Sequence, residues 1–156
     1  MKKNKRVKQL KFIASIFNLA LNEIQDTLGF ETLTMIFRRV GEASGLSIAE
    51  KFKGRYTTIK DFGNALIRYV INPIIGDGKS QLIEEGDKII FKLDACPYKK
   101  AGGFPIQDMS FFCHYTEGMI DTAIKTAFPD LNYQTNPAKL IANGCEHCKF
   151  VISKQI

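Results

Sequence analysis

The sequence predicts an α+β domain: N-terminal helices plus a long helix in the C-terminal half, packed on an antiparallel sheet of about four to five strands. Three observations carry this. Apolar residues recur at three- and four-residue steps through the first half and again through 110–128. They alternate every second position near 88–95 and 148–153, with Gly, Asp, Asn and Pro marking the turns between. Helices come first and strands later, which is the order of an α+β domain rather than of repeated βαβ units.

In chain order, Leu10, Ile13, Ala14, Phe17, Ala20, Leu21, Ile24 and Leu28 form one apolar stripe. It predicts an amphipathic helix over about 7–27, ended by Gly29. A second helix fits 32–51, with Leu33, Ile36, Phe37 and Val40 turned inward. Gly41 and Gly45 lie four apart within it, which predicts close approach of another backbone or a kink. A third helix starts after the Thr57-Thr58 cap, uses Ile59, Phe62, Leu66 and Val70, and should end at Asn72-Pro73. Gly76-Asp77-Gly78 is a turn signal. Strands at 80–84 and 88–95 flank Glu85-Gly86-Asp87 as a hairpin, with Ile89, Phe91 and Leu93 on one face. Residues 97–107 read as a loop, 110–128 as a helix closed by Pro129, and 131–136, 139–143 and 148–153 as strands.

Composition bounds the function. Six of the 22 basic residues fall within the first eleven positions, leaving sixteen basic against sixteen acidic side chains. A basic stripe on the folded face is therefore absent, which argues against a nucleic-acid partner. Hydrophobic content of 45% is ordinary for a globular chain, and no apolar run is long enough for a membrane span. No secretory signal stands out, so a cytoplasmic location is expected. The whole chain, 1–156, reads as one domain with a basic lead at 1–8.

All four cysteines lie in the C-terminal part: Cys96, Cys113, Cys145 and Cys148. Cys145-Glu146-His147-Cys148 is a C-x2-C knuckle, a spacing that lets two thiolates hold one ion. His114 and His147 each adjoin a cysteine and are possible secondary ligands. Four thiolates would suit a structural zinc, with iron as the alternative. Buried free thiols, a disulfide and redox chemistry remain open readings of the same residues.

The runs Cys113-His114-Tyr115-Thr116-Glu117-Gly118-Met119-Ile120 and Asn143-Gly144-Cys145-Glu146-His147-Cys148-Lys149-Phe150-Val151-Ile152 resemble the 4-vinyl-reductase domain family. Cys96, Cys113, Gly118, Gly144, Cys148 and Phe150 match its cysteine, glycine and C-x-F positions. The segment Val40-Gly41-Glu42-Ala43-Ser44-Gly45 is similar to its glycine-bearing second helix. Leu140 stands where the family often has another cysteine, and Cys145 is the substitute. The resemblance implies small-molecule or hydrocarbon binding, a fold similar to that of TRAPP-type vesicle-tethering subunits, and a homodimer formed through the N-terminal helices.

Chemistry of a catalytic kind is hard to find. There is no G-x-G-x-x-G after a strand and no G-x-x-x-x-G-K-[ST], so neither usual nucleotide cradle is present. Glu84, Glu85 and Asp87 occupy a turn and read as solvated. Glu117 is a candidate acid or base beside His114, weighed against a cap or surface role. A reductase or redox protein of tetrapyrrole-like metabolism is the alternative to a binding or sensor protein. For a small apolar ligand, Gly41, Gly45, Gly102, Gly103 and Gly118 would leave space. Phe104, Met109, Phe112 and Met119 would line the pocket. Phe111 and Phe112 are adjacent on a helix, so one should face the core and the other a pocket or a partner.

Overall fold

The computed structural model describes residues 2–100 and 110–155. Helix α1 (Lys2–Leu28) is followed after Gly29 by α2 (Phe30–Phe52) and, past a short turn, by α3 (Ile59–Leu66). Gly29 takes φ 82°, a left-handed value that favours glycine and reverses the chain between the first two helices. The Thr58 side chain caps α3, accepting the Asp61 N–H at 3.1 Å.

Pro73 does not end the helical run where the sequence suggested. Residues Ile67–Ile71 form a π segment, and α4 (Asn72–Ile75) continues from it with the proline in its first turn. The Asn72 N–H donates to the Ile67 carbonyl, five residues back, so the wider turn absorbs the missing proline donor.

Strands β1 (Ser80–Glu85) and β2 (Lys88–Leu93) make the predicted hairpin, and Pro97–Lys100 forms a one-turn helix, α5. Helix α6 (Phe111–Ala127) leads to β3 (Tyr133–Lys139) and β4 (Cys148–Lys154). The predicted strand at 139–143 is instead a 3-10 turn over Ile141–Asn143. Gly144 at φ 87° closes that turn, and the Ile141 N–H donates to Cys148 Sγ rather than to a neighbouring strand.

The sheet is antiparallel with four strands in the order β1-β2-β4-β3. Pro137 is tolerated because β3 is an edge strand with an irregularity beside it. Phe91 lies opposite Phe150, Leu93 opposite Cys148, and Ile89 and Thr135 both opposite Ile152. Phe91, Leu93, Cys148, Phe150 and Ile152 form the core with α3 and α6. The predicted stripe Met119, Ile120, Ala123 and Ile124 of α6 is buried there.

Helices α2 and α6 meet backbone to backbone. A Cβ on Gly41 would collide with the Tyr115 carbonyl, one on Gly45 would sit 2.5 Å from the Met119 oxygen, and one on Gly118 2.5 Å from the Arg38 oxygen. The expected close approach is therefore present. The expected space at these three glycines is not, because the opposing helix fills it. Gly102 and Gly103 lie outside the described residues.

The stripe on α1 departs most from expectation. Of its apolar residues only Leu21 is buried, while Leu10, Ile13 and Phe17 face solvent. Phe12, Ile16 and Leu19 extend the exposed surface around the helix, and Ile36 and Val40 of α2 are exposed too. No helix among the described residues is long and apolar enough to cross a membrane.

Candidate functional site

The site is best built outward from the π segment. Val70 and Ile71 from that segment, Ile74 and Ile75 from α4, and Leu93 at the end of β2 form one wall of a cavity of about 70 Å³. Pro97 and Tyr98 of α5 and Tyr115, Thr116 and Met119 of α6 form the other. The walls are apolar, with two phenols and one hydroxyl available for orientation. A π segment at such a place is informative, because a widened turn costs helix regularity and tends to persist where it shapes a site.

The two tyrosines are fixed differently. Tyr115 Oη lies 3.1 Å from Ser44 Oγ on α2, which ties this wall to the α2–α6 seam. Tyr98 stacks on Phe112 at 4.2 Å between ring centroids. Burial, then proximity to Tyr115, Cys113 and Cys96, push the Tyr98 phenol above its usual range, so it stays a neutral hydrogen-bonding group.

Met119 lines this cavity. Phe112 does not; it packs behind Tyr98. Nor do Phe111 and Phe112 diverge. Both are buried in one aromatic cluster with Leu21, Leu33 and Phe37, because Phe37 of α2 contacts both rings, at 5.0 and 4.8 Å. Phe104 and Met109 lie outside the described residues. Sequence reasoning missed Tyr98, Tyr115, Ile71 and Ile75, which looked like loop and core positions. The one available signal was Pro73 inside an otherwise helical pattern.

Cys96 and Cys145 line a separate groove of about 460 Å³, together with Asp94, Ile141 and Glu146 among others. Cys148 is buried nearby and accepts the Ile141 N–H at 3.3 Å. Burial raises its thiol pKa, the Ile141 bond lowers it, and Cys96 and Cys145 raise it further. Cys113 belongs to the core and does not line that groove. Among the described residues no three His, Cys, Asp or Glu side chains stand close enough to share a metal ion. As placed, then, Cys96, Cys113, Cys145 and Cys148 do not fit a four-thiolate zinc, and the favoured form of Cys148 is the protonated thiol. His147 is half-buried, and His114 is engaged elsewhere.

That engagement is an ion network on the α2–α6 seam. Arg38 pairs with Glu117, with Asp121 at 3.4 Å and with Glu42 at 3.1 Å. His114 Nδ1 lies 2.8 Å from Glu117 Oε2, Lys125 Nζ lies 2.8 Å from Asp121, and the Thr135 N–H donates to Asp121 Oδ1 at 2.8 Å. Burial alone would lower the Arg38 pKa, but Glu117, Asp121 and Glu42 outweigh it and hold the guanidinium above its usual value. Glu117 is thus neither a cap nor a surface residue; it is a buried carboxylate neutralised by a cation from the facing helix. The network holds these charges in place across the seam.

The arrangement of helices on a four-stranded antiparallel sheet is the fold of TRAPP-type subunits. It is shared, over 97% of both chains at 10% identity and a TM-score of 0.66, with a trafficking protein particle complex subunit 3 from Naegleria fowleri, solved covalently bound to palmitic acid. The phenol-responsive sensory domain of the transcription activator PoxR, solved with phenol, is similar over 89% of this chain and 73% of its own, at 16% identity and a TM-score of 0.60. No protein-family pattern matches the chain, and no curated protein matches it either.

Proposed function

We propose that this chain is a small-molecule-binding or sensory domain that holds an apolar ligand between the π segment, α5 and α6. The observation that carries the reading is the apolar cavity with its two restrained tyrosines. Support comes from the fold, since similar structures hold palmitic acid and phenol. Size narrows the choice. About 70 Å³ is roughly half of the 150 Å³ cavity that accepts benzene. A single ring enters only if Met119 or the exposed Ile74 moves aside, and a long acyl chain would need far more rearrangement.

The 4-vinyl-reductase resemblance fits this role through its cysteine and glycine positions, and a cytoplasmic location suits four cysteines that form no disulfide. The exposed apolar surface of α1 and α2 supports a homodimer through those helices. No step of the reading passes through a metal. Elemental analysis of the purified protein tests that: one equivalent of zinc per chain would show that the thiols regroup around an ion.

Thermal unfolding with phenol and with palmitic acid tests the ligand. A ligand at about a hundred times its Kd adds about 2.7 kcal/mol to the folded state, which for a chain of this size raises the midpoint by roughly 5–10 °C. Phenol should give the larger shift, and Met119→Trp, which fills the cavity, should abolish it. No shift with either compound would remove the reading.

A further inference from the structure

We infer a second binding site, for a small organic ammonium ion, at the opposite end of α6 from the apolar cavity. A half-enclosed cavity of about 370 Å³ lies between the C-terminal ends of α2 and α6 and the turn that leads to α3. Its volume falls in the usual range for a small-molecule pocket, roughly 300–1,000 Å³. Seven residues of helix separate Met119, at the first cavity, from Thr126 at this one, about 10 Å along the axis.

Aromatic rings and negative electrostatics converge there. Phe52, Tyr56 and Phe62 line it, and they contact one another at 5.8–6.2 Å in near-perpendicular pairs. Phe62 is fully buried behind the other two, so the half-buried rings of Phe52 and Tyr56 are the ones that can offer a face, with its negative charge density, to a ligand. Both long helices end at the cavity, so two macrodipoles present their negative poles. The Pro129 ring lines it as well and has no N–H to offer the end of α6. Glu50, which is exposed, lines it too. Lys53 also lines it and opposes a second cation, but it is exposed and makes no ion pair among the described residues.

A trimethylammonium group matches these features: it is compact, apolar at its surface and positively charged, so it satisfies ring faces and helix ends together. Inorganic anions are disfavoured by the same poles. The site is independent of the proposed apolar ligand, and phenol should neither compete with the cation nor be required for it.

Calorimetry with choline and with its neutral isostere 3,3-dimethylbutan-1-ol tests the inference on the full chain. Choline should bind about tenfold more tightly than the isostere. Tyr56→Leu and Glu50→Gln should each weaken choline about threefold or more, while urea midpoints report that both variants remain folded. Lys53→Gln should strengthen it. Equal affinity for the two probes, no heat from choline, or weaker choline binding in Lys53→Gln would overturn the cation site.

Discussion

Helices α1 and α6 read alike in sequence, each with an apolar stripe at helical spacing, yet the fold treats them in opposite ways. Helix α6 is buried along its stripe and is also pressed, glycine to carbonyl, against α2. Helix α1 leaves Leu10, Phe12 and Leu19 roughly two-thirds exposed. Periodicity reports which face of a helix is apolar; it does not report what covers that face. In α6 the cover is this chain's own core. In α1 most of that face has no cover among the described residues.

The sharpest way to break the comparison is to put a side chain into the α2–α6 seam. Gly41→Val places its Cβ on the Tyr115 carbonyl, a backbone atom that cannot move without displacing α6. Overpacking costs about 1–3 kcal/mol, and a clash with backbone belongs at the upper end, so urea unfolding should show a large fall in midpoint. Leu19→Ala on the exposed part of α1 should stay within about 0.5 kcal/mol by the same measurement. A mild effect at Gly41 would mean that the two helices are not in backbone contact.

Charge gives the next effect in size. Arg38→Met leaves Glu117 and Asp121 buried without their shared cation. Removing one partner of a buried pair costs about 3–5 kcal/mol, and the one-third exposure of Arg38 reduces that to about 2 kcal/mol. Lys125→Met should cost less, since Asp121 keeps Arg38 and the Thr135 N–H. If Lys125→Met proves the more damaging, the network is not centred on Arg38.

The parts of the fold that were legible in sequence are those set by local pattern. The hairpin at Gly86, the Thr58 cap and the buried stripe of α6 follow from turn chemistry and periodicity. So does the close approach at Gly41 and Gly45. The parts that were not legible depend on distant partners. Pro73 normally stops a helix, but a π turn absorbed it. Leu140 to Asn143 look extended until the Ile141 N–H finds Cys148 Sγ. Glu117 looks like a surface residue until Arg38, seventy-nine positions earlier, is placed beside it. The cavity was half legible: Met119 follows from the helical stripe, whereas Tyr98 and Tyr115 are brought to it only by the tertiary fold.

Association is the next test, with little change expected in each folded chain. If a second copy covers α1, Leu10→Lys combined with Leu19→Lys should convert a dimer to a monomer in sedimentation, with the helical signal retained. A wild-type chain that sediments as a monomer at all concentrations would leave the apolar face of α1 to some other partner.

The smallest effect expected is at Tyr98, and its sign separates the cavity from ordinary surface. The Tyr98 phenol is held above its ordinary value of 10, so the folded state keeps a proton that the unfolded chain releases. Stability from this group is complete below pH 10 and is lost as pH rises from there toward the folded value. The loss is at most about 1 kcal/mol over the first pH unit, since one unit corresponds to about 1.4 kcal/mol and Tyr98 is only half-buried. Cys148 adds a slope of the same sign above its ordinary value near 9. Tyr98→Phe should therefore flatten the alkaline limb above pH 10 and leave the limb between 9 and 10 to the thiol. An unchanged limb in Tyr98→Phe would place that phenol in water, and with it the wall of the cavity that α5 provides.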